Sequence, residues 1–258
     1  MTALVTGGAK RLGRAMALAL AGEGHDVAIH YAGSADAAEA TADDIRAMGR
    51  RAVTLQADLL DEAATQSLIP RATEALGQPV TVLINNASIF EYDTIDSMTR
   101  TSWDRHIESN LRAPVALTQA LAAQMPAATP DENGEPQARG LVINMVDQRV
   151  NKLTPDFMSY TIAKMGLWAF TRTAAQALAP HVRVNAIGPG PTLQGERQSP
   201  DHFTRQRKAT ILQRGSDPDG ICEALLYFLR ARGVTGQLIC VDGGQHLAWQ
   251  TPDILGVE

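Results

Sequence analysis

The chain has 258 residues, 45% of them hydrophobic and 20% charged, and its formal net charge is −5. This composition is typical of a globular protein, and the negative charge argues against general binding to nucleic acid. No apolar run approaches the ~18 residues that a membrane span requires. The first residues lead directly into a strand and leave no room for a signal peptide, so we expect a cytoplasmic protein. The six histidines show no metal-ligand spacing, and we predict no metal site.

Short apolar runs alternate with amphipathic stretches along the chain. The runs that predict strands are Ala3–Val5, Val27–His30, Ala52–Gln56, Val80–Asn85, Leu141–Asn144, Val182–Ile187 and Leu238–Val241. The stretches that predict helices are Arg11–Gly22, Ala35–Met48, Asp61–Leu76, Ser102–Gln124, Phe157–Leu178 and Pro218–Leu229. Strands that are apolar on consecutive residues indicate burial on both faces, and alternating β and α units predict a parallel sheet between two helical layers. Without a repeat or a linker, residues 1–258 are predicted to form a single α/β domain.

Two segments lack these patterns. The stretch Pro126–Pro136 is rich in proline and acidic residues, which predicts an exposed loop. The segment Gly188–Arg214 is rich in proline and glycine at its start and polar later. Because it follows the end of a strand, where ligands bind in open α/β sheets, we expect it to shape a substrate site.

The first strand runs into a turn with several glycines, Thr6–Gly13, and then into a helix. Glycines such as Gly7 and Gly13 let the backbone turn tightly and approach a pyrophosphate, while the helix N-terminus favours the anion. Such a turn is weak evidence alone, and the alternative is an ordinary turn without a ligand. Its place between the first strand and the first helix predicts a dinucleotide site.

The end of the second strand bears on which dinucleotide binds. A site for NAD has a carboxylate there, which accepts a hydrogen bond from the ribose 2′-hydroxyl, and this chain has none before Asp36. Hydrogen-bond donors and cations lie there and in the neighbouring turn: His30, Tyr31, Ser34, Lys10 and Arg11. Donors and cations suit a 2′-phosphate, so we predict NADP(H). The alternative for His30 is a strand-end histidine without a ligand.

Tyr160 and Lys164 are four residues apart on a predicted helix, so they lie on one face, one turn apart. An ammonium beside a phenol favours the phenolate, so Lys164 is expected to lower the pKa of Tyr160 and make it a proton donor near neutral pH. A carboxylate, Asp147, lies thirteen residues before the tyrosine, at the end of the apolar run Gly140–Val146.

These motifs, taken in order, resemble the short-chain dehydrogenase/reductase family over essentially the whole chain. The segments that carry the resemblance are the turn Thr6–Gly13, Asn85-Asn86-Ala87, Tyr160 with Lys164, and Asn185–Gly190. The resemblance implies a Rossmann fold whose seven parallel strands follow the order 3-2-1-4-5-6-7. It also implies hydride transfer from a nicotinamide and, commonly, a homotetramer.

The resemblance also implies roles for individual residues. Tyr160 would be the proton donor, Lys164 would bind the nicotinamide ribose, and Asn110 would hold a water in the proton relay. Asp58, followed by Leu59, would lie at the adenine. The remaining residues that the resemblance assigns to the cofactor are Leu12, Asn86, Ala87, Ser88, Pro189 and Gly190.

Three departures from the family pattern are informative. Arg11 occupies the place of the second glycine of the turn, Ser88 ends a motif that usually reads NNAG, and Asp147 replaces the catalytic serine. The three occur together in the pteridine reductases and in the bacterial dihydromonapterin reductases that resemble them. Phe90 falls where these enzymes have a ring that sandwiches the pterin against the nicotinamide. The resemblance therefore implies a pterin substrate bound by Arg11, Ser88, Phe90, Asp147 and Tyr160.

The chemistry of a carboxyl group supports the same interpretation. An ionised Asp147 would repel the alkoxide that develops when a ketone is reduced. Reduction of a C=N bond instead delivers hydride to carbon and needs a proton on nitrogen, which a carboxyl can carry or relay through Tyr160. Burial is expected to raise the pKa of Asp147, and Lys164 to oppose this.

Other interpretations of the same residues remain open. Asp147 could be a strand-end cap, Phe90 an ordinary core residue, Arg11 a solvated helix residue, and Ser88 a residue with no special role. The enzyme could be a carbonyl reductase acting on a 3-oxoacyl thioester or another ketone, or the chain could bind NADP(H) without catalysis. The substrate tail is not decided among dihydromonapterin, dihydrobiopterin and dihydrofolate. Cys222 and Cys240 are predicted to be buried free thiols.

Overall fold

The computed structural model describes residues 1–195 and 198–250. Its strands are β1 (Thr2–Val5), β2 (Asp26–Tyr31), β3 (Ala52–Gln56), β4 (Val82–Asn85), β5 (Thr129–Pro130), β6 (Pro136–Gln137), β7 (Gly140–Met145), β8 (Val182–Pro189) and β9 (Leu238–Val241). Within the described residues, seven of them form a parallel sheet in the order β3-β2-β1-β4-β7-β8-β9. Without the two short strands β5 and β6, this is the predicted order 3-2-1-4-5-6-7. The predicted fold class is confirmed.

Helices cover both faces of this sheet. They are α1 (Arg11–Gly22), α2 (Ala35–Ala47), α3 (Glu62–Leu76), α4 (Arg100–Ile107), α5 (Ala113–Gln124), α6 (Met158–Leu178), α7 (Pro200–Lys208) and α8 (Pro218–Arg230). One core cluster contains side chains of α1, α2 and α8, and a second contains side chains of α3, α5 and α6. In β1, Ala3 and Val5 belong to the first cluster and Leu4 to the second. Because successive side chains of a strand point to opposite faces, a strand buried on both sides must be apolar throughout.

The helix predicted over Ser102–Gln124 is interrupted. The structure has α4, a π-helical turn at Glu108–Arg112, and then α5. Pro114 gives a physical reason, since it has no N–H to donate to the carbonyl of Asn110, four residues earlier, and its ring crowds that carbonyl. Such π turns are frequent at functional sites, and this one contains Asn110.

The two segments predicted to be irregular contain regular structure. In Pro126–Pro136 and the residues after it, β5 and β6 form an antiparallel pair. The segment between them includes Gly134, whose φ of +80° suits glycine. In Gly188–Arg214, α7 begins after Ser199, whose side chain accepts a hydrogen bond from the backbone N–H of His202. The prediction missed α7 because this helix is charged and has no buried residue.

Among residues 1–195 and 198–250, no helix is both long enough and apolar enough to cross a membrane. The same residues contain no cluster of histidine, cysteine or acidic side chains suited to a metal ion. Both cysteines are free thiols, as predicted, but each is only partly buried. Burial nevertheless raises the pKa of both Cys222 and Cys240 to about 11.

Candidate active site

The turn after β1 has a shape that glycine alone permits at two positions. Gly7 has a φ of +61°, in the left-handed region. A Cβ atom on Gly13 would lie 2.1 Å from the carbonyl oxygen of Gly7. The first turn of α1 therefore packs directly against the preceding backbone. This close approach is what a pyrophosphate site at a helix N-terminus requires.

The end of β4 holds this turn in place. Asn86 Nδ2 donates hydrogen bonds to the carbonyl oxygens of Thr6, at 2.8 Å, and Gly7, at 3.2 Å. In return, Thr6 Oγ1 accepts the backbone N–H groups of Asn86, at 2.9 Å, and Ala87, at 3.0 Å. Asn86 and Ala87, which the sequence assigned to the cofactor site, thus border the phosphate turn and fix its backbone.

His30 has a different role from the one predicted. It is buried, its Nδ1 accepts the backbone N–H of Gly7 at 3.1 Å, and its Nε2 lies 3.2 Å from the carbonyl oxygen of Ala57. The carbonyl requires a donor, so Nε2 carries the proton and Nδ1 is the acceptor. Burial lowers the pKa of His30, which favours this neutral form. The prediction that His30 donates to a 2′-phosphate is therefore wrong, because Nδ1 is occupied by the turn and Nε2 by the carbonyl of Ala57, just after β3.

Arg11 connects the phosphate turn to the segment after β8. Its φ is +53°, a left-handed backbone at the place where the family pattern has a glycine. Its guanidinium donates to the carbonyl oxygens of Gln194, at 3.0 Å, and Leu193, at 3.3 Å. Arg11 is exposed at the start of α1, as a solvated residue would be, but its guanidinium also contacts protein. Its hydrogen bonds go to the segment expected to shape the substrate site.

The other residues assigned to the cofactor surround the same edge of the sheet. Tyr31 ends β2 and is partly buried. Ser34 precedes α2, and within the described residues its side chain makes no capping hydrogen bond to that helix. Lys10 and Asp58 are exposed, while Leu12 and Leu59 pack against the two core clusters. Gly190, after Pro189, donates its N–H to the carbonyl of Val241 at 3.0 Å. The turn, the exposed lysine and the serine hydroxyl fit a dinucleotide that carries a phosphate on its ribose.

Three polar side chains meet where β7 ends and α6 begins. The phenol of Tyr160 donates to Asp147 Oδ2 at 2.9 Å, and Asp147 Oδ1 accepts the backbone N–H of Arg149 at 2.9 Å. Lys164, 2% exposed, donates to the carbonyl oxygen of Met145 at 2.8 Å. Its Nζ lies 5.7 Å from the centre of the Tyr160 ring. Asp147 is thus both a strand-end cap and the partner of the phenol.

Burial decides the protonation of these groups. It raises the pKa of Asp147, against the opposing effects of Arg149, Tyr160 and Lys164, as expected from the sequence. It lowers the pKa of Lys164 to about 8. It raises the pKa of Tyr160 well above its usual value, and Asp147 adds to the increase, so the prediction that Lys164 lowers this pKa is wrong. The phenol therefore keeps its proton at neutral pH and is a hydrogen-bond donor.

Aromatic rings border this polar group. Phe90 is 44% exposed, so its interpretation as an ordinary core residue is wrong. Its ring stacks on Phe157, with centroids 4.3 Å apart and planes 9° apart, and meets the Tyr160 ring edge to face at 4.7 Å. Ser88 is exposed on the same segment, and its hydrogen bond to Tyr160 opposes the rise in the pKa of the phenol. A flat ring bound beside Phe90 would therefore lie close to the Tyr160 hydroxyl.

Asn110 contacts the segment that carries Phe90. Its Oδ1 accepts the backbone N–H of Ile89 at 2.9 Å, and its Nδ2 donates to the carbonyl of Ile89 at 2.8 Å. The side chain is fully buried. The structure therefore gives the Asn110 amide a role in holding the backbone beside the site, and its role in binding a water stays a prediction.

Comparison with known proteins agrees with this geometry. A family model described as short chain dehydrogenase matches residues 1–201. The chain belongs to the short-chain dehydrogenase family. The predicted family is confirmed, and with it a nicotinamide cofactor at the level of the family.

Solved structures and curated relatives that are similar to this short-chain dehydrogenase carry the names of different activities. FolM alternative dihydrofolate reductase 1 from Brucella canis, crystallised with NADP, is 46% identical and has a TM-score of 0.90, over 98% of this chain and 96% of that one. The protein of the same name from Brucella suis, also with NADP, is 45% identical with a TM-score of 0.90, over 98% of each chain. The 3-oxoacyl-acyl-carrier-protein reductase FabG of Staphylococcus epidermidis is 31% identical over 95% of this chain and 99% of its own.

Sequence reasoning missed four residues around the site of this short-chain dehydrogenase. The sequence predicts a helix over Phe157–Leu178, but Phe157 precedes α6 with a φ of +56° and contacts Phe90. Arg149 lies with its guanidinium carbon 5.0 Å from the centre of the Phe157 ring. Asp93 and His106 are buried polar residues. Their proximity to the site depends on contacts with residues far away in the sequence, which local patterns do not show.

Proposed function

We propose that this short-chain dehydrogenase uses NADPH to reduce a dihydropterin or dihydrofolate to its tetrahydro form. The observation that carries the proposal is the hydrogen bond between the carboxyl of Asp147 and the phenol of Tyr160, beside the exposed ring of Phe90. The two FolM structures, named dihydrofolate reductases, support it because their sequences are 46% and 45% identical to this chain over 98% of its length.

The cofactor is NADP(H) in this proposal. Residues Gly7–Gly13 and the N-terminus of α1 hold the pyrophosphate, with Asn86 fixing the turn. Lys10, Ser34 and Tyr31 provide the charge and the donors for the 2′-phosphate in place of a carboxylate. Lys164 would bind the nicotinamide ribose, Pro189 and Gly190 would contact the cofactor, and Asp58 and Leu59 would lie at the adenine. When bound, NADPH supplies the hydride.

The residues of the chain supply the proton. Reduction of a C=N bond adds hydride to carbon and one proton to nitrogen, while NADPH becomes NADP⁺. Tyr160 holds a proton at neutral pH, because burial and Asp147 raise its pKa. Asp147, whose own pKa burial raises, accepts from this phenol and forms with it a pair that can hold and return a proton. Ser88 and Phe90 orient the flat ring, and stacking on an aromatic ring adds about 1 kcal/mol beyond the area buried.

A second candidate is a carbonyl reductase, which the FabG relative favours. Ketone reduction develops negative charge on oxygen, and donors stabilise it best. An ionised carboxylate in contact with the phenol would oppose that charge. For this candidate, substitution Asp147→Ser is expected to preserve or raise ketone reduction, because it restores a hydroxyl donor.

The test follows NADPH oxidation at its absorbance with dihydromonapterin, dihydrobiopterin, dihydrofolate and a simple 3-oxoacyl thioester side by side, for the native chain and Asp147→Ser. Rapid oxidation with a dihydropterin that the serine variant loses supports the proposal. Oxidation with the thioester alone, retained in the serine variant, establishes the carbonyl reductase. Tight NADPH binding without turnover on any of them establishes a non-catalytic protein and contradicts both.

We also propose a homotetramer, as the family commonly forms. Several large apolar side chains are exposed on the long helices, notably Ile162 and Met165 of α6 and Tyr227 of α8. Such side chains on a self-complementary face stabilise symmetric association. Light scattering during size-exclusion chromatography is expected to give four times the mass of the chain, and a monomer mass would contradict the proposal.

A further inference from the structure

The Ser88–Asp93 segment, between β4 and α4, shows burial that alternates from one residue to the next. Ser88, Phe90 and Tyr92 are exposed, and Phe90 and Tyr92 retain 44% and 56% of their accessible surface. Ile89 and Glu91 are partly buried, and Asp93 is 1% exposed. This period of two is that of an extended chain, so the even-numbered residues share one face and the odd-numbered residues the other.

Each odd-numbered residue is fastened to a helix behind the segment. Asn110 binds both backbone groups of Ile89, as described above. His106 Nε2, on α4, accepts the backbone N–H of Glu91 at 3.1 Å, and the Glu91 carboxylate pairs with Arg105 at 2.8 Å. The segment is therefore anchored through its backbone at alternate residues.

Asp93 is the last residue that holds the segment in place, and its carboxylate also caps the N-terminus of α6. The residue before α6 is Phe157, which has no polar side chain to cap the helix. Asp93 Oδ1 accepts the backbone N–H of Ser159 at 3.1 Å, and Asp93 Oδ2 accepts the hydroxyl groups of Ser159 and Ser102. A carboxylate from the segment thus caps the helix that carries Tyr160, favourably placed at its N-terminus.

The direction of the hydrogen bonds at His106 follows from its partners. Nε2 accepts from a backbone N–H, so it carries no proton, and Nδ1 must carry it. Nδ1 then donates to Ser159 Oγ at 2.6 Å, and the Ser159 hydroxyl donates to Asp93. All three side chains are buried. One directed chain of hydrogen bonds therefore links Glu91, His106, Ser159 and Asp93, and it fixes two points of the same segment.

We propose that His106 is a positioning residue, which holds the Ser88–Asp93 segment so that Phe90 and Tyr92 present a preformed surface to the ring of the substrate. The ring of Phe157 extends this surface, since it stacks on Phe90 and meets Tyr92 edge to face at 5.2 Å. Preforming such a surface lowers the entropy that binding would otherwise lose. The identity of the ring as a pterin rests on the proposed function, whereas the fastening of the segment does not.

Two variants separate the two hydrogen bonds of His106. In His106→Gln the side-chain amide reaches the position of Nε2 and can still accept the N–H of Glu91. In His106→Asn it reaches only the position of Nδ1, which keeps the contact with Ser159 and leaves the N–H of Glu91 without its acceptor. The asparagine variant is expected to raise KM for the dihydropterin about tenfold, because it loses the hydrogen bond between His106 and the segment, with kcat and the Kd of NADPH unchanged. The glutamine variant is expected to match the native chain within about threefold.

Hydrogen exchange at the amide of Glu91 gives a measurement that needs no substrate. The native chain and His106→Gln are expected to protect this amide at least about tenfold relative to an unstructured chain, and His106→Asn to lose that protection. An unprotected amide in the native chain contradicts the proposal, even where the asparagine variant fails to fold. An equal rise of KM in both variants, or a fall in kcat with KM unchanged, also overturns it. A further outcome is that the amide of Glu91 exchanges as expected in all three chains although the protein reduces no pterin. That result supports the role of His106 in holding the Ser88–Asp93 segment and refutes only the proposed function.

Discussion

The phenol of Tyr160 and the carboxyl of Asp147 are joined by a hydrogen bond of 2.9 Å between side chains that are thirteen residues apart in sequence. The other oxygen of that carboxyl caps the short helical turn that follows β7. Asp147 is therefore oriented by the backbone while it faces the phenol. A serine in its place would have one oxygen for both partners, so aspartate at this position changes the donors and acceptors of the site.

Removal of the phenol hydroxyl tests the proton donor. Tyr160→Phe keeps the ring that packs against Phe90 and removes the group that bonds to Asp147. Because positioned acids contribute about 10²- to 10⁴-fold, turnover with a dihydropterin is expected to fall by at least about 100-fold. The Kd of NADPH, measured by fluorescence titration, is expected to remain within about threefold, because the hydroxyl acts on the substrate. Turnover equal to that of the native chain would refute the mechanism.

The buried ammonium of Lys164 should be visible in the dependence of stability on pH. Its pKa is about 8 in the folded chain and 10.5 ordinarily, so between these values the unfolded chain holds more protons and the free energy of unfolding rises with pH. Lys164→Met lacks this contribution, and the stability difference between the two chains should change in favour of the native chain by up to about 1.4 kcal/mol per pH unit, with the smaller change near pH 8.

Urea unfolding of both chains at pH 7.5, 8.5 and 9.5 measures this difference. Cys222 and Cys240, with pKa values raised to about 11, destabilise the fold as pH rises above their ordinary value of 9.0, but they do so equally in both chains. The comparison therefore isolates Lys164. A difference that stays constant over this range would show that the folded pKa of Lys164 is not lowered.

The phosphate turn should not tolerate a methyl group at Gly13. In Gly13→Ala the Cβ atom would lie 2.1 Å from the Gly7 carbonyl oxygen, so the turn or α1 must move. We expect the Kd of NADPH to rise at least about tenfold, together with a loss of stability of about 1–3 kcal/mol from overpacking. Gly233→Ala is the matched control, because its Cβ would meet nothing within 4 Å. Similar NADPH affinity in both variants would argue against a cofactor at this turn.

The two roles considered for His30 make opposite predictions for cofactor preference. In His30→Asn the side-chain oxygen can still accept the N–H of Gly7, so NADPH affinity is expected to stay within about threefold, whereas His30→Leu should weaken it about tenfold. The ratio of NADPH to NADH affinity should stay constant in both, because the residue shapes the turn and does not touch the 2′-phosphate. A fall in that ratio in both variants, measured by titration with each cofactor, would restore the direct contact.

Much of the fold follows from the sequence because its signals are local. The apolar runs of β1 and β4, with glycines or asparagines at their ends, predict the sheet and the edge where the site lies. The π-helical turn and α7 were missed, although Pro114 and the Ser199-Pro200 pair mark them. The π-helical turn escapes prediction because the apolar residues continue through it with helical spacing. Helix α7 escapes prediction because it has no buried apolar residues with that spacing.

The errors at the site have a common physical cause. β2 is buried on both faces, so no periodicity tells whether His30 points into the protein or toward a ligand. Likewise, the helical spacing shows Lys164 as the neighbour of Tyr160, but it shows neither the burial nor the contact with Asp147 that raises the pKa of the phenol. Contacts between residues far apart in the chain decide both cases.

The alternating burial of the Ser88–Asp93 segment assigns different functions to its odd-numbered and even-numbered residues. Its odd-numbered residues hold the backbone against α4 and α6, while its even-numbered residues do not enter the buried hydrogen-bond chain. Exchanges at positions 88, 90 and 92 should therefore change which ring the enzyme accepts while the hydrogen bonds that hold the backbone of the segment are kept. A library restricted to these three codons is accordingly a direct route to redesigning the selectivity of this scaffold.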